Sequence, residues 1–349
     1  MTFSGLSQVS EFLPRLDNCA RLLLDAGADP NSSWLDPEWE YSLSALYGAA
    51  GLNHSTALTR MMLAAGANPN DNESLYHSLE GKTLERTRLL LAAGARVTGT
   101  NALFRVLDFD TLEALQLLLE NGGDAKEESK SLGRPLHHAL KRRRSAAHIQ
   151  MLLDAGADPA APNPDGVTPY RLALRSGLTD IAAQLLARVP GEAPLSAREQ
   201  LVAACARADA ESARAVLASQ PDLIGKLSDY QLRTLPDLAA EGHWSAVRTM
   251  LEVGWPIDVT GGNWRASALN HAVFRGDAGM TEWLLAHGAD WRVQHGYKDN
   301  AIGTLSFACM ARASEGGDWL GCAKALLAAG VPKPAGITYS PRTSLVFVS

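Results

Sequence analysis

Three histidines, His77, His138 and His271, occupy corresponding positions in three similar stretches of the chain. Imidazole is a common zinc ligand, so three histidines in register suggest a metal site. Each stretch has the pattern of a short helix, however, and stacked helix pairs lie about 8 to 10 Å apart. That spacing separates His77 from His138 by about 20 Å, whereas zinc ligands lie about 2 Å from the metal. We therefore expect neither a metal nor another cofactor.

The richest group of recognition side chains lies in the C-terminal third of the chain. Trp244 and Trp283 have helical positions typical of a core. The other candidates lie on two segments expected to project, VGWPIDVTGGNWRAS and ADWRVQHGYKDNAIG, or on the helix beside them. They are Trp255, Trp264, Arg265, Asn270, His271, Trp291, His295, Tyr297, Asp299 and Asn300. Because Trp, Tyr and Arg dominate binding hot spots, we predict a partner-binding or ligand-binding surface here.

Two functions fit this group of side chains. In the favoured, non-enzymatic function, a protein partner covers the projecting aromatic side chains. In the alternative, tryptophans wall a small-molecule pocket in which Tyr297 and Asn270 supply polar groups. Asp299 or His271 would then be the general base of an enzyme. A cavity of roughly 300 to 1,000 Å³ holding these groups would favour the alternative, and an open surface would favour a partner.

A third interpretation is purely structural, because aromatic side chains on long loops also pack on one another. The basic run from Lys141 to Arg144 has two interpretations as well. It fits a phosphate or acidic-peptide site, but we prefer a solvated helix end that is favoured by the helix dipole. The chain has no phosphate-binding glycine loop, nucleophile elbow or HExxH motif, so no catalytic residue can be assigned.

A repeated helical element has to position all these side chains. The same Leu-rich turn followed by glycine recurs as LLLDAGADPN, MMLAAGANPN, LLLAAGARV, MLLDAGADP, WLLAHGAD and LLAAGV. The spacing is 28 residues from Gly66 to Gly94, 28 from Gly94 to Gly122, and 34 from Gly122 to Gly156. A glycine after the last turn typically ends a helix in the left-handed conformation. Short helix pairs of this kind cannot bury their apolar faces alone, so they must stack on copies of themselves.

One complete unit is NPDGVTPYRLALRSGLTDIAAQLLARV, residues 163–189. Thr168 can cap its first helix, Pro169 fits the first helical position, and Gly177 ends the helix. Related openings occur at residues 135–139 and 267–272, and Gly242-His243 begins a second helix. On these motifs the chain resembles the ankyrin-repeat family over nearly its whole length. The resemblance implies an all-α solenoid with short β-hairpin fingers, which binds protein partners in a concave groove.

We predict a single solenoid over residues 1–349, with repeats ending near 31, 70, 97, 124, 159, 190, 221, 258, 290 and 332. The tail, residues 333–349, either adds a short strand or is loosely ordered. The insertion SSWLDPEWEYS places Trp34, Trp39 and Tyr41 on a long finger. The predicted helices, after a weak one at 4–13, are 17–26, 43–50, 55–65, 73–80, 83–93, 101–107, 111–121, 134–143, 146–155, 197–206, 210–219, 229–241, 244–253, 267–275, 278–287, 304–313 and 319–329, besides those of the unit at 163–189.

Composition narrows the function classes further. The net charge of −6 and the pI of about 5.9 argue against nucleic acid as a partner. No apolar run reaches the roughly 18 residues that span a bilayer, and the first residues lack a signal-peptide pattern. We therefore expect a cytoplasmic monomer without a membrane partner. Arginine outnumbers lysine by 24 to 8, which suggests a bacterial source, and the four dispersed cysteines are expected to be buried thiols.

Overall fold

The computed structural model describes residues 12–36, 41–129, 132–262, 264–312 and 316–332, and the backbone of residues 337–338 and 346–347. Most of this chain is helical, which confirms the predicted all-α class. The chain folds as two compact units, Met1–Pro164 (unit 1) and Asp165–Ser349 (unit 2).

Unit 1 consists of helix pairs and one described hairpin. Its helices are α1 (Leu13–Asp25), α2 (Ala45–Tyr47), α3 (Thr56–Ala64), α4 (Ser74–Ser78), α5 (Glu85–Ala92), α6 (Ala102–Val106), α7 (Leu112–Glu120), α8 (Pro135–Lys141) and α9 (Ala146–Asp154). The first helices of successive pairs stack, α4 on α6 and α6 on α8, and among the second helices α3 packs on α5 and α7 on α9. Leu103, Phe104, Leu115 and Leu118 are fully buried between them.

The hairpin of unit 1 lies in the insertion predicted to form a finger. Strand β1 (Ser33–Asp36) pairs antiparallel with β2 (Tyr41–Ser44), and Trp34 is exposed. The finger is thereby confirmed for its described strands, while Trp39 lies outside the described residues.

Unit 2 repeats the same arrangement. Its helices are α10 (Pro169–Arg175), α11 (Thr179–Leu186), α12 (Ala197–Ala206), α13 (Ala210–Ser219), α14 (Asp229–Leu232), α15 (Thr234–Ala240), α16 (Trp244–Glu252), α17 (Ala268–Phe274), α18 (Ala278–Ala286), α19 (Ala301–Ala311) and α20 (Trp319–Ala328), with a 3₁₀ turn at Ile224–Lys226. The first helices stack in the order α10, α12, α15, α17 and α19, and α18 packs on α20. Leu201, Leu235, Val247, Leu269 and Leu284 belong to their common core.

Local sequence explains where many of these helices begin. Thr168 precedes α10, and its hydroxyl accepts a hydrogen bond from Arg171 N at 3.5 Å, while Pro169 occupies the first helical position. Ser196 and Glu199 form a capping box at the start of α12, in which each side chain accepts a bond from the other's backbone N–H. Such caps satisfy backbone donors that have no partner within the helix.

The glycines that follow the second helices end them as predicted. Each has a left-handed φ between +88° and +97°: Gly27, Gly66, Gly94, Gly122, Gly156, Gly254, Gly288 and Gly330. This conformation costs a residue with a Cβ atom about 1 to 2 kcal/mol, so the repeated glycine has a backbone reason.

We expect Gly122→Ala to lower the free energy of unfolding by about 1 to 2 kcal/mol. A Cβ atom at Gly122 would meet no atom within 4 Å, so the cost comes from the backbone alone. Gly225→Ala is the matched control, because its site is equally open but its φ lies outside the left-handed region. Urea unfolding of both variants measures the difference, and equal losses would contradict this explanation.

Several predicted helix bounds agree with the structure, and three differ for identifiable reasons. The helices at 197–206 and 210–219 are as predicted. Helix α1 begins at Leu13, four residues before its predicted start, and Pro14 lies in its first turn, where a missing N–H costs nothing. Helix α19 begins three residues earlier than predicted because the Asn300 side chain accepts a hydrogen bond from Ile302 N and caps it. The predicted helix 229–241 is divided at Arg233 into α14 and α15, because Pro236 has no N–H to donate to Leu232 O.

Three further expectations concern the remaining segments. The predicted helix 43–50 is α2 continued by a π-helical turn, Gly48–Leu52. In the tail, β3 (Ile337–Thr338) pairs antiparallel with β4 (Val346–Phe347). The predicted helix 4–13 falls almost entirely outside the described residues.

Only two of the four cysteines are buried, although all four were expected to be. Cys205 and Cys322 are buried, but Cys19 and Cys309 are exposed, so the expectation is wrong for the latter two. Separately, none of the helices within the described ranges is long and apolar enough to cross a bilayer.

Candidate functional site

Five aromatic side chains form a connected surface in unit 2, here called the aromatic row: Trp264, Phe274, His295, Tyr297 and Phe307. The ring of Trp264 lies 5.5 Å from that of Phe274 and 5.1 Å from that of His295. The rings of Phe274 and Phe307 stack at 6.3 Å and 12°, and His295 continues to Tyr297 at 5.9 Å. Tyr297 is 79% exposed and Phe307 is 56% exposed. The row therefore presents large aromatic area to solvent.

Hydrogen-bonded loops hold one end of the row. Trp264 lies on a tight turn that is closed by two backbone hydrogen bonds of 2.9 Å between Gly261 and Ala266. The next loop is tied to this turn, because Gly296 N donates to Trp264 O at 2.7 Å. The two segments predicted to project are thus joined at the aromatic row.

Helices α17 and α19, which pack on each other, supply Phe274 and Phe307. Neither residue was predicted from the sequence, although helical spacing contains a signal for Phe307. The small residues Ala301, Thr304 and Ala308 are buried and mark one face of α19. Phe307 lies off that face, so its exposure could have been inferred from the spacing.

Trp255 is buried in the core, and its predicted place on a projecting segment is wrong. The indole N–H of Trp255 donates to Leu232 O at 3.0 Å. This carbonyl is available because Pro236 cannot donate to it within the helix. The Leu232 carbonyl oxygen, which Pro236 leaves without a helical donor, therefore binds the indole N–H and helps to hold Trp255 in the core.

Asn270 is likewise buried, so it does not line an open pocket. Its side-chain oxygen accepts hydrogen bonds from Ser267 N and Oγ, at 3.2 and 2.7 Å, in a capping box at the start of α17. Its amide nitrogen donates to Thr304 Oγ1 at 3.1 Å, which joins α17 to α19. The oxygen and the nitrogen of the Asn270 side chain thus both form hydrogen bonds within the fold.

His271 lies beneath the aromatic row and is almost wholly buried. Its ring meets that of Trp264 edge to face at 4.8 Å. Burial, and then the nearby charge of Arg275, lower the pKa of His271 to about 3, so the imidazole is neutral at physiological pH. Its Nε2 has no hydrogen-bond partner among the described residues. The structure thus places His271 as support for Trp264.

The remaining candidates are spread around the row. Trp291 is half-buried against the core, with the guanidinium of Arg292 4.4 Å from its ring centre. Arg265 is exposed beside Trp264 and has a left-handed φ of +52°. Asp299 is exposed and accepts a hydrogen bond from Asn300 N at 2.8 Å, while the Asn300 side chain caps α19. Among these four candidates, only Arg265 and Asp299 have exposed side chains that could contact a ligand.

Unit 2 contains a cavity of about 470 Å³ that these candidates do not line. Arg171, Arg175, Arg198 and Tyr230 are among its lining residues, and none of the ten predicted site residues is among those described for it. Arg171 is paired with Glu192 at 2.8 Å and also with Glu199. The size is that of a ligand pocket, but the polar groups proposed for small-molecule chemistry are not gathered in it.

A polar network in unit 1 was not predicted from the sequence. It begins at the hairpin, where the Tyr41 hydroxyl donates to Glu73 Oε1 at 2.6 Å. Nε2 of His77 lies 3.1 Å from Glu73 Oε2, and its Nδ1 lies 2.8 Å from Glu80 Oε1. His77, on α4, therefore bridges the two carboxylates that flank this helix.

The same network continues along α6 and α8. Arg105 donates to Glu80 at 2.7 Å and to Asp108 at 3.1 Å. Asp108 Oδ1 also lies 2.9 Å from His138 Nε2 and 2.8 Å from Arg142 Nε. Glu80 and Asp108 are thus paired across the stacked helices, which fits a role in holding the helices together.

The paired charges shift two pKa values strongly. Burial lowers the pKa of His77, but the hydrogen bonds and charges of Glu73 and Glu80 outweigh burial and raise it to about 9. Burial raises the pKa of Asp108, but the hydrogen bond with His138 and the charge of Arg142 outweigh burial and lower it to about 2. His77 and Asp108 are both charged at neutral pH.

The basic run from Lys141 to Arg144 lies beside this network, and its side chains form hydrogen bonds. Besides the bond from Arg142 to Asp108, Arg144 Nη2 donates to Arg142 O at 2.7 Å. Across the described ranges, no group of three or more His, Cys, Asp or Glu side chains is arranged to hold a metal ion.

The sequence matches no protein-family model, and no curated protein is significantly similar to it. Function must therefore be inferred from the residues and their geometry.

Proposed function

We propose that this chain is an ankyrin-type solenoid of about ten repeats that binds a protein partner, without catalysis, in the cytoplasm and as a monomer. The stacking of first helices on first helices within each unit supports the repeat assignment. The left-handed glycines that end the second helices support it further. A repeat array of this kind offers a long surface to which each repeat contributes side chains for binding.

The exposure of the aromatic row supports partner binding most strongly. Phe307 stacks on Phe274 yet remains more than half exposed, and Tyr297 is exposed over most of its surface. Aromatic rings bury large apolar areas when covered, and Trp and Tyr are enriched among side chains that dominate binding energy. A partner that covers the row would gain this free energy.

The alternative small-molecule function has less support. It requires Asn270 and His271 to face a pocket with Tyr297 and Asp299. Asn270 is engaged in a capping box and in a bond to Thr304, and His271 is covered by Trp264. The open row fits an extended partner better than an enclosed ligand.

We expect Phe307→Ala to weaken partner binding by about 2 kcal/mol, or roughly 30-fold. The probe is a displayed library of random peptides selected on the full chain, and the dissociation constants of enriched peptides are then measured for each variant. Tyr297→Ala should act in the same direction. Both side chains are exposed, so circular dichroism and the melting temperature should change little.

Leu320→Ala is the matched control, because Leu320 is an apolar side chain on α20 that is 68% exposed and outside the row. We expect it to leave the dissociation constants unchanged. Equal losses for Phe307→Ala and Leu320→Ala, or none for either, would reject the row as the binding surface.

A further inference from the structure

Cationic side chains surround the aromatic row. Arg265, Arg275 and Lys298 are exposed, and none of them forms an ion pair with a described carboxylate. A fourth cation, Arg312, lies with its guanidinium 4.5 Å from the ring centre of Phe274 and donates to Phe274 O at 3.3 Å. Positive charge and aromatic surface therefore occur together.

The positions of two of these cations follow from the loops that hold the row. Arg265 adjoins Trp264, and its Cβ lies 3.7 Å from the point where a Cβ atom on Gly296 would be. Lys298 follows Tyr297, and its N–H donates to His295 O at 2.9 Å. These two cations therefore flank the loop end of the row.

Arg275 and Arg312 place positive charge at the other end of the row, where α17 and α19 supply Phe274 and Phe307. Arg275 follows Phe274 at the end of α17 and donates to Ala240 O at 3.0 Å. Its charge also contributes, after burial, to the lowered pKa of His271 beneath the row. The row therefore has cations at both ends.

Several other arginines of unit 2 are paired with carboxylates. Arg171 pairs with Glu192, Arg175 with Asp237 at 2.6 Å, and Arg207 with Asp209 at 2.7 Å. Beside the row, the exposed carboxylate near His295 is that of Asp299, whose charge acts to raise the pKa of His295 against the larger effect of burial. The row is thus locally cationic in a chain whose net charge is −6.

We infer that the partner is an acidic protein segment that places an apolar side chain on the aromatic row and carboxylates beside Arg265, Lys298 and Arg275. This inference rests on the proposed function, since it specifies the partner of the same surface. Opposite charges at the rim of an interface steer association and select between partners, and salt screens them. A basic or neutral segment gains the aromatic contact but not the charge complementarity.

The same peptide selection tests this inference through composition. Enriched peptides should contain more Asp and Glu than the unselected library, together with an aromatic or aliphatic residue, and their binding should weaken as salt is added. The double variant Arg265→Glu with Lys298→Glu should weaken binding by roughly tenfold. Lys324→Glu, at an exposed position on α20, is the control and should change binding by less than about twofold.

The outcomes separate the inference from the function on which it rests. Acidic peptides that lose binding in both Phe307→Ala and the double charge variant support both. Enriched peptides that depend on Phe307 but are neutral or basic, or that ignore the double variant, overturn the acidic partner and leave the binding surface intact. Peptides that are indifferent to Phe307, or a selection without enrichment, overturn both.

Discussion

Replacing Arg105 with methionine should lower the free energy of unfolding by about 2 kcal/mol. Methionine keeps much of the apolar stem but removes the guanidinium. This group joins Glu80 to Asp108 and lies 5.3 Å and 4.8 Å from the ring centres of Tyr76 and Phe109. Breaking a buried ion pair costs about 3 to 5 kcal/mol because a charge is left unpaired. The side chains here are about a quarter exposed, and solvent screening reduces the loss.

Arg88→Met is the matched control in the same unit. Arg88 pairs with Glu113 at 2.7 Å, the same distance as Arg105 to Glu80, but the two side chains are 53% and 70% exposed. We expect a loss of at most about 0.5 kcal/mol. Urea unfolding of the full chain gives both values, and hydrogen exchange at the buried Leu103 locates the change in unit 1. Equal losses would show that the network adds nothing beyond surface pairing.

Helix positions could be predicted from the sequence because their determinants are local. Thr168 caps the helix that starts one residue later, and Gly156 ends the one that stops just before it. Both effects depend on neighbours within a few residues, so the sequence alone contains them. Two local signals of this kind were not used in the predicted bounds: the cap of Asn300, which lengthens α19, and Pro14 in the first turn of α1.

The candidate site was only partly predictable because burial depends on distant residues. Tyr297 and Arg265 are exposed on loops, as their polar surroundings suggested. Trp255 is inside because Pro236, nineteen residues earlier, leaves Leu232 O without a donor. No pattern within the projecting segment itself contains that information.

The unit 1 network shows the same limit more clearly. The register of His77 and His138 was visible in the sequence, but their partners were not. Asp108 lies 30 residues from His138 in sequence, and Glu80 lies 25 residues from Arg105. Such pairs form only when helices of different repeats stack, so they depend on the repeat period as well as on residue type.

The stabilisation contributed by His77 should disappear as the pH rises through about 9. Its folded-state pKa is about 9, above the unfolded value near 6.5. A raised pKa means that the folded state holds the proton more tightly, so the contribution is complete below about pH 6.5 and is lost through about pH 9. The shift corresponds to at most about 3 kcal/mol.

The measurement compares the free energy of unfolding of the unmodified chain and of His77→Gln between about pH 7 and about pH 10. Subtraction removes titrations common to both proteins, and the difference should shrink as the pH rises. His148→Gln is the control, because burial lowers the pKa of His148, so this side chain stays neutral over the range and its difference should remain constant. A constant difference for His77→Gln as well would mean that Glu73 and Glu80 do not hold His77 in its charged form. The polar network would then stabilise unit 1 through neutral hydrogen bonds at that position.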